Sequence, residues 1–126
     1  MTLKDFYSAV GGNYDEVLSR LVSERLITKF VLKFKDDDSF ALLESAVKAN
    51  DYKTAFRASH TLKGVCSTLG FSTLFKSSSE LTEYLRNNVS PEKAMVDNYF
   101  KTINNDYIQV LNNIENIKFQ QRGKND

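Results

Sequence analysis

The chain has 126 residues, of which 41% are hydrophobic and 26% charged, and its formal net charge is +1 at pH 7. These are ordinary values for one globular domain with its own core, and a charge so close to zero gives no overall field that favours nucleic acid or an acidic membrane. The single cysteine excludes an internal disulfide, and no stretch approaches the roughly 18 apolar residues that span a bilayer.

The N-terminal region is predicted to be helical. It lacks the basic segment and apolar run of a secretory signal, which favours a cytoplasmic location. Apolar residues three and four positions apart predict a short amphipathic helix over residues 2–10, and a glycine pair ends it. Asn13 can cap the next segment. A helical period then continues to residue 34, either as one helix or as two that meet near Ser23.

The rest of the chain is predicted to form four helices separated by short polar breaks. The second of them is the best defined, since it covers residues 52–69 with a cap before it and a glycine after it. The last is the longest and keeps its apolar period to about residue 117. The predicted caps, starts and stops are Asp38 or Ser39, Asp51, Gly70, Ser72, and Ser90 followed by Pro91.

These elements predict an all-α fold, an antiparallel four-helix bundle with one or two short N-terminal helices covering one end. We expect residues 1–126 to form a single domain with a core at about 13–118 and a flexible polar tail at 119–126. A monomer is expected, because the apolar face of the last helix is used by the core.

Residues 59–71 contain a group of side chains that predicts a reactive site. His60 is the only histidine of the chain. Lys63, Gly64 and Ser67 follow it at offsets of three, four and seven, which share one face of a helix with it. The opposite face is a narrow apolar stripe that includes Cys66, so this cysteine is expected to be a small core residue.

This run resembles the signature of histidine-containing phosphotransfer (HPt) domains, which is a histidine, any residue, Leu-Lys-Gly and then Leu-Gly a few residues later. The residues that fill this pattern are His60, Leu62, Lys63, Gly64, Leu69 and Gly70. The helices on either side also lie where the family has them, so the resemblance extends over roughly residues 13–118.

The resemblance implies a bundle that carries a phosphoryl group between aspartates of response-regulator receiver domains, with His60 as the phosphoacceptor. The expected partners are receiver domains and a hybrid histidine kinase, with no nucleic acid and no membrane. The resemblance also implies that the protein is a phosphocarrier and not an enzyme, because Mg²⁺ and the acidic catalytic residues belong to the receiver. No cofactor of its own is expected.

The chemistry of the residues agrees with this hypothesis. A neutral imidazole is a good nucleophile toward an acyl phosphate, and an ordinary pKa of about 6.5 keeps histidine mostly neutral at pH 7. Lys63 can bond phosphate oxygens as they gain charge. Gly64 lets the rim of a partner approach, at a helix-propensity cost of about 1 kcal/mol. Ser67 can hydrogen-bond the imidazole or the phosphate.

Three further residues are predicted to bind the partner. Lys53 and Arg57 fall on the same face as His60, so this patch is basic although the chain is nearly neutral. Phe56 can provide an apolar contact for a receiver, or can pack against the next helix instead.

Two other functions remain open on the sequence alone. The chain can be a module that binds a receiver without turnover, or the phosphoacceptor domain of a chemotaxis-type histidine kinase. It contains no Gly-rich phosphate loop, which argues against an autonomous kinase. One histidine and one inward-facing cysteine cannot form a metal site, and the acidic run at 36–38 lacks the spacing of a calcium loop.

Overall fold

The computed structural model describes the backbone of residues 1–125 and the side chains of residues 1–117. All regular secondary structure in this part of the chain is helical, with no strand, and a 3₁₀ turn follows the third helix. The helices in chain order are α1 (Leu3–Ala9), α2 (Tyr14–Leu21), α3 (Glu24–Lys33), α4 (Ser39–Lys48), α5 (Tyr52–Leu69), α6 (Ser72–Leu85) and α7 (Lys93–Asn125). The predicted all-α fold is confirmed.

Helices α4 to α7 pack around a common core as a four-helix bundle. Short connections make consecutive helices antiparallel, and the contacts agree: Ser59 in the middle of α5 meets Thr82 near the end of α6, where the Thr82 hydroxyl donates to Ser59 Oγ at 3.0 Å. Phe40 of α4 stacks on Tyr107 of α7 and closes the ring of four helices. The bundle therefore holds α5 between two neighbours and leaves its outer face free.

The segment between residues 13 and 34 forms two helices and not one. Val22 adopts a positive φ of 69°, which ends α2, and the Ser23 hydroxyl accepts a hydrogen bond from the amide of Leu26 to start α3. A positive φ is costly for a β-branched residue. A break at this point was one of two possibilities in the sequence.

The predicted start and end of α5 are confirmed, whereas the predicted start of α7 is wrong. Asp51 caps α5 through the amide of Thr54, and Gly70 ends it in the left-handed conformation. Helix α7 begins at Lys93, two residues later than a Ser90 cap would place it. The Ser90 amide is instead bound in the turn by Asn88 Oδ1 at 3.1 Å, and the carbonyl of Glu92 accepts the hydrogen bond from Val96 that starts the helix. The amide of Glu92, which has no partner within the helix, donates to the Tyr84 hydroxyl at 3.0 Å.

The N-terminal helices fix the far end of α5. The Tyr7 hydroxyl of α1 donates to the Leu69 carbonyl at 2.6 Å, and the Asn13 amide donates to the Gly70 carbonyl at 2.9 Å. Arg20 of α2 donates to the carbonyls of Ser67 and Thr68, where a cation also opposes the negative end of the helix dipole. Helix α5 is thus held at its C-terminus by three separate elements.

Replacing Gly70 with alanine should destabilise the protein by about 2–4 kcal/mol, because the left-handed conformation and overpacking each carry a cost. The φ of Gly70 is 71°, and an added Cβ would lie 2.1 Å from Val17 Cγ2. Urea unfolding followed by circular dichroism measures the change. A stability equal to that of the wild type would contradict the described packing between α2 and the end of α5.

Among the described residues, no helix is long and apolar enough to cross a membrane. The division into one domain over 1–126, with a core at about 13–118, stays a prediction. The tail predicted at 119–126 lies beyond Ile117, outside the residues whose side chains are described.

Candidate functional site

Helix α5 divides into a packed side and an exposed side, as the sequence predicts. The packed side carries small and apolar residues that are almost fully buried, namely Ala55, Ala58, Leu62, Cys66 and Leu69. Burial raises the pKa of the Cys66 thiol, with a smaller contribution from Asp37, so this cysteine stays protonated and inert at neutral pH. The site is therefore on the other side of the helix.

The exposed side of α5, which we call the His60 face, brings the predicted residues together. Its members, all exposed, are Lys53, Arg57, His60, Gly64 and Ser67. The imidazole lies beside the half-buried Phe56, with 6.1 Å between the ring centroids. Because His60 is in the middle of a helix of 18 residues, its position is fixed by the whole bundle.

Gly64 leaves an open space one turn beyond His60. A Cβ built on this residue would have no heavy atom within 4 Å, apart from its own helix backbone and chain neighbours. The glycine is therefore not required by the packing of the bundle. An interior glycine weakens a helix by about 1 kcal/mol relative to alanine, so its presence calls for a reason outside the fold.

Lys63 is engaged by the neighbouring helix. Its Nζ lies 3.7 Å from Oε1 of Glu83 on α6, and its side chain is 26% exposed. The sequence predicted Lys63 beside His60 and did not predict its acidic partner. Lys63 follows His60 by one helical turn, and its contact with Glu83 places it on the side of the His60 face nearest α6. We call this side the α6 flank of the site.

Glu83 also binds Arg86 of the same helix, so contacts connect Lys63, Glu83, Arg86 and Phe56 along the α6 flank. Arg86 donates to the Glu83 carboxylate through Nε at 3.1 Å and through Nη2 at 3.2 Å. Its guanidinium carbon lies 5.2 Å from the centroid of the Phe56 ring, within the range of a cation–π contact. Phe56 is thus covered on one side by Arg86 of α6 and adjoins His60 on its own helix.

These contacts lower the pKa of Glu83. The largest cause is the hydrogen bonds from Arg86, and the charges of Arg86 and Lys63 act in the same direction against a partial desolvation. Because the pKa of Glu83 is lowered in the folded protein, its contacts with Arg86 and Lys63 stabilise the fold fully above the ordinary pKa of a glutamic acid. This stabilisation is lost as the pH falls through the lowered pKa. At neutral pH the carboxylate is ionised and holds both cations.

Over the described residues, no group of three or more histidine, cysteine or acidic side chains is arranged to hold a metal ion. The His60 face instead combines an accessible imidazole with several cations, and Glu83 is the acidic residue that pairs with Lys63. Such a surface suits an anionic group brought to the imidazole from outside.

Comparison with known protein families agrees with this geometry. The model of the family described as Hpt domain matches residues 35–118, which is more than half of the chain. The match begins in the 3₁₀ turn and extends over the four-helix bundle. No curated protein and no solved structure gave a significant match.

Proposed function

Because the chain belongs to the Hpt domain family, we propose that it carries a phosphoryl group on His60 between the aspartates of receiver domains. Hpt domains are histidine phosphotransfer modules of two-component systems, and they are phosphocarriers and not enzymes in general. The observation that supports the role of His60 most strongly is its exposure in the middle of α5, among cations and next to the open space at Gly64.

In the proposed step, the unprotonated ring nitrogen of His60 attacks the phosphorus of the partner's aspartyl phosphate. A nitrogen–phosphorus bond forms, the bond between phosphorus and the acyl oxygen breaks, and its electron pair returns to the aspartate carboxylate. The other ring nitrogen keeps its proton. Mg²⁺, which would neutralise the phosphoryl oxygens during transfer, is expected to come with the receiver.

The residues around His60 have separate proposed roles. Lys63 would exchange its contact with Glu83 for the phosphoryl oxygens when His60 becomes charged. Gly64 would let the rim of the receiver's active site reach the imidazole, and Ser67 would donate a hydrogen bond to the imidazole or the phosphoryl group. The partner would be contacted by residues nearer the start of α5, namely Lys53, Phe56 and Arg57.

The test is a transfer screen. Receiver domains from the source organism, each phosphorylated on its aspartate with a radioactive label, are mixed with the protein in the presence of Mg²⁺. At least one receiver should transfer its label within the time of the experiment. Absence of label from all of them would contradict the proposal. Binding without label would favour the receiver-binding module, and labelling by a kinase and ATP alone would favour the chemotaxis-type domain.

Replacing Glu83 with glutamine should shift the transfer equilibrium toward phosphorylated His60. The substitution removes a negative charge from the flank of the site and frees the Lys63 ammonium. Since both side chains are partly exposed, the effect of one such pair is modest, and we expect about a twofold to fivefold change. The measurement is the fraction of label on the protein at equilibrium with one receiver.

The matched control for this experiment is Glu80→Gln, which removes an exposed carboxylate one turn earlier on α6. It should leave the equilibrium unchanged, because Glu80 is not among the residues paired with Lys63. A shift away from phosphorylated His60 in Glu83→Gln would show that Glu83 supports the phosphorylated state, against this account.

A further inference from the structure

A groove with a volume of about 1020 Å³ lies between the first turns of α5 and the connection from α6 to α7. It adjoins the His60 face, since Phe56 contacts the imidazole and also lines the groove. Arg86 likewise belongs both to the groove and to the flank of the site. A domain that docks on His60 therefore lies next to this groove.

The lining of the groove is basic. It includes Lys53, Arg57 and Arg86, and none of the side chains that line it in the described part of the chain is a carboxylate. Glu83 compensates part of the charge of Arg86 from outside the groove. Lys53 and Arg57 are exposed to solvent. The groove is thus electrostatically complementary to an acidic segment.

The groove also presents apolar surface. Leu85 is 5% exposed, whereas Val89, in the connection, is 101% exposed. Such full exposure of an apolar side chain beside a concave surface is a feature of interaction sites when it adjoins further apolar area, and here Phe56 and Leu85 provide that area.

The connection that carries Val89 is ordered by hydrogen bonds. Asn88 donates through its side chain to the Tyr84 carbonyl at 3.0 Å and accepts from the amide of Ser90 at 3.1 Å. The Asn88 amide donates to the Leu85 carbonyl at 3.2 Å. Val89 is therefore presented by a fixed turn, which lowers the entropy cost of using it in an interface.

We infer that this groove is a second contact surface for the receiver domain, occupied by an acidic segment of the receiver that places an apolar side chain against Leu85 and Val89. The inference rests on the proposed function, because the groove is continuous with the His60 face. It adds to the proposed partner residues the end of α6 and the α6–α7 connection, which are distant from His60 in the sequence.

The test uses two variants of the groove, Val89→Asp and Asn87→Asp, in the transfer assay with a receiver that labels the wild type; both residues line the groove in the α6–α7 connection. Each places a negative charge where an acidic segment would bind. We expect the KM for the receiver to rise about tenfold in each variant, as for a residue in the centre of an interface, with kcat unchanged. The rise caused by Asn87→Asp should become smaller at high salt, since screening weakens exposed charges.

The matched controls are Ile108→Asp and Asn105→Asp. Both residues are exposed on α7, and neither lines the groove. Neither control should change KM. Chemical phosphorylation of His60 by phosphoramidate, a donor too small to use a docking surface, should proceed equally in the wild type and in all four variants.

The outcomes separate the inference from the proposed function. If the receiver labels the wild type and both groove variants with equal KM, or if only kcat falls, the groove is not a docking surface while His60 remains the phosphoacceptor. If no receiver labels the wild type, the proposed function is wrong and the inference, which depends on it, is wrong as well.

Discussion

Replacing His60 with glutamine should abolish phosphoryl transfer to the protein and leave its unfolding midpoint unchanged. The imidazole is exposed, and its aromatic neighbour is Phe56 on the same helix, so the bundle does not depend on it. Glutamine keeps a polar side chain and a good helix propensity. Labelling by a phosphorylated receiver and urea unfolding are measured on the same preparation.

The matched control is Thr61→Gln. Thr61 is also exposed on α5, but it follows His60 by one residue and so points about 100° away around the helix. This variant should accept label at the rate of the wild type. Persistent labelling of His60→Gln would place the phosphoryl group on another residue and contradict the assignment.

Replacing Gly64 with alanine should change stability and transfer in opposite directions. The fold should become more stable by up to about 1 kcal/mol, because an interior glycine becomes alanine and the new Cβ has no atom of a neighbouring element within 4 Å. Transfer from a receiver should slow by about tenfold or more, since displacements of about 1 Å in a reacting geometry can cost a hundredfold. Gly64→Gln should slow it further.

Phosphoramidate is the control donor for this prediction, because it is small enough to reach His60 past an added methyl group. It should label Gly64→Ala as fast as the wild type. A loss of activity that accompanies a gain in stability cannot result from misfolding. If transfer from the receiver is unaffected, Gly64 does not provide access for a partner.

The parts of the structure that the sequence predicted are those set by local spacing. Asp51 and Gly70 mark the ends of α5 through contacts within a few residues, and offsets of three, four and seven fix which side chains share a face with His60. The all-α bundle followed from the same periodicity and from short connections. These features depend little on how the helices pack.

The parts that it did not predict depend on which helices meet. The pairing of Lys63 with Glu83, and the position of Arg86 over Phe56, are determined by the rotation of α6 about its axis against α5. Glu83 and Arg86 do have the spacing of a pair on one helix face. Their spacing alone, however, did not indicate that this face meets the flank of His60.

The late start of α7 and the break at Val22 were also not settled by the helical period. Tyr84 accepts a hydrogen bond from the amide of Glu92 across the connection, at the residue whose carbonyl starts α7. Val22 adopts a conformation that its residue type disfavours, and the cap at Ser23 compensates by starting α3 at once. The contact of Tyr84 with Glu92 is not visible in the helical period, whereas the Ser23 cap is a local signal, which is why a break near Ser23 was one of the two possibilities.

The central claim is that His60 both receives and releases the phosphoryl group. The most direct measurement loads the protein from one receiver, removes that donor, locates the label by mass spectrometry, and then adds a second receiver with Mg²⁺. The label should be on His60 before the addition and on the aspartate of the second receiver afterwards. Label on another residue, or label on His60 that no receiver can remove, would contradict it.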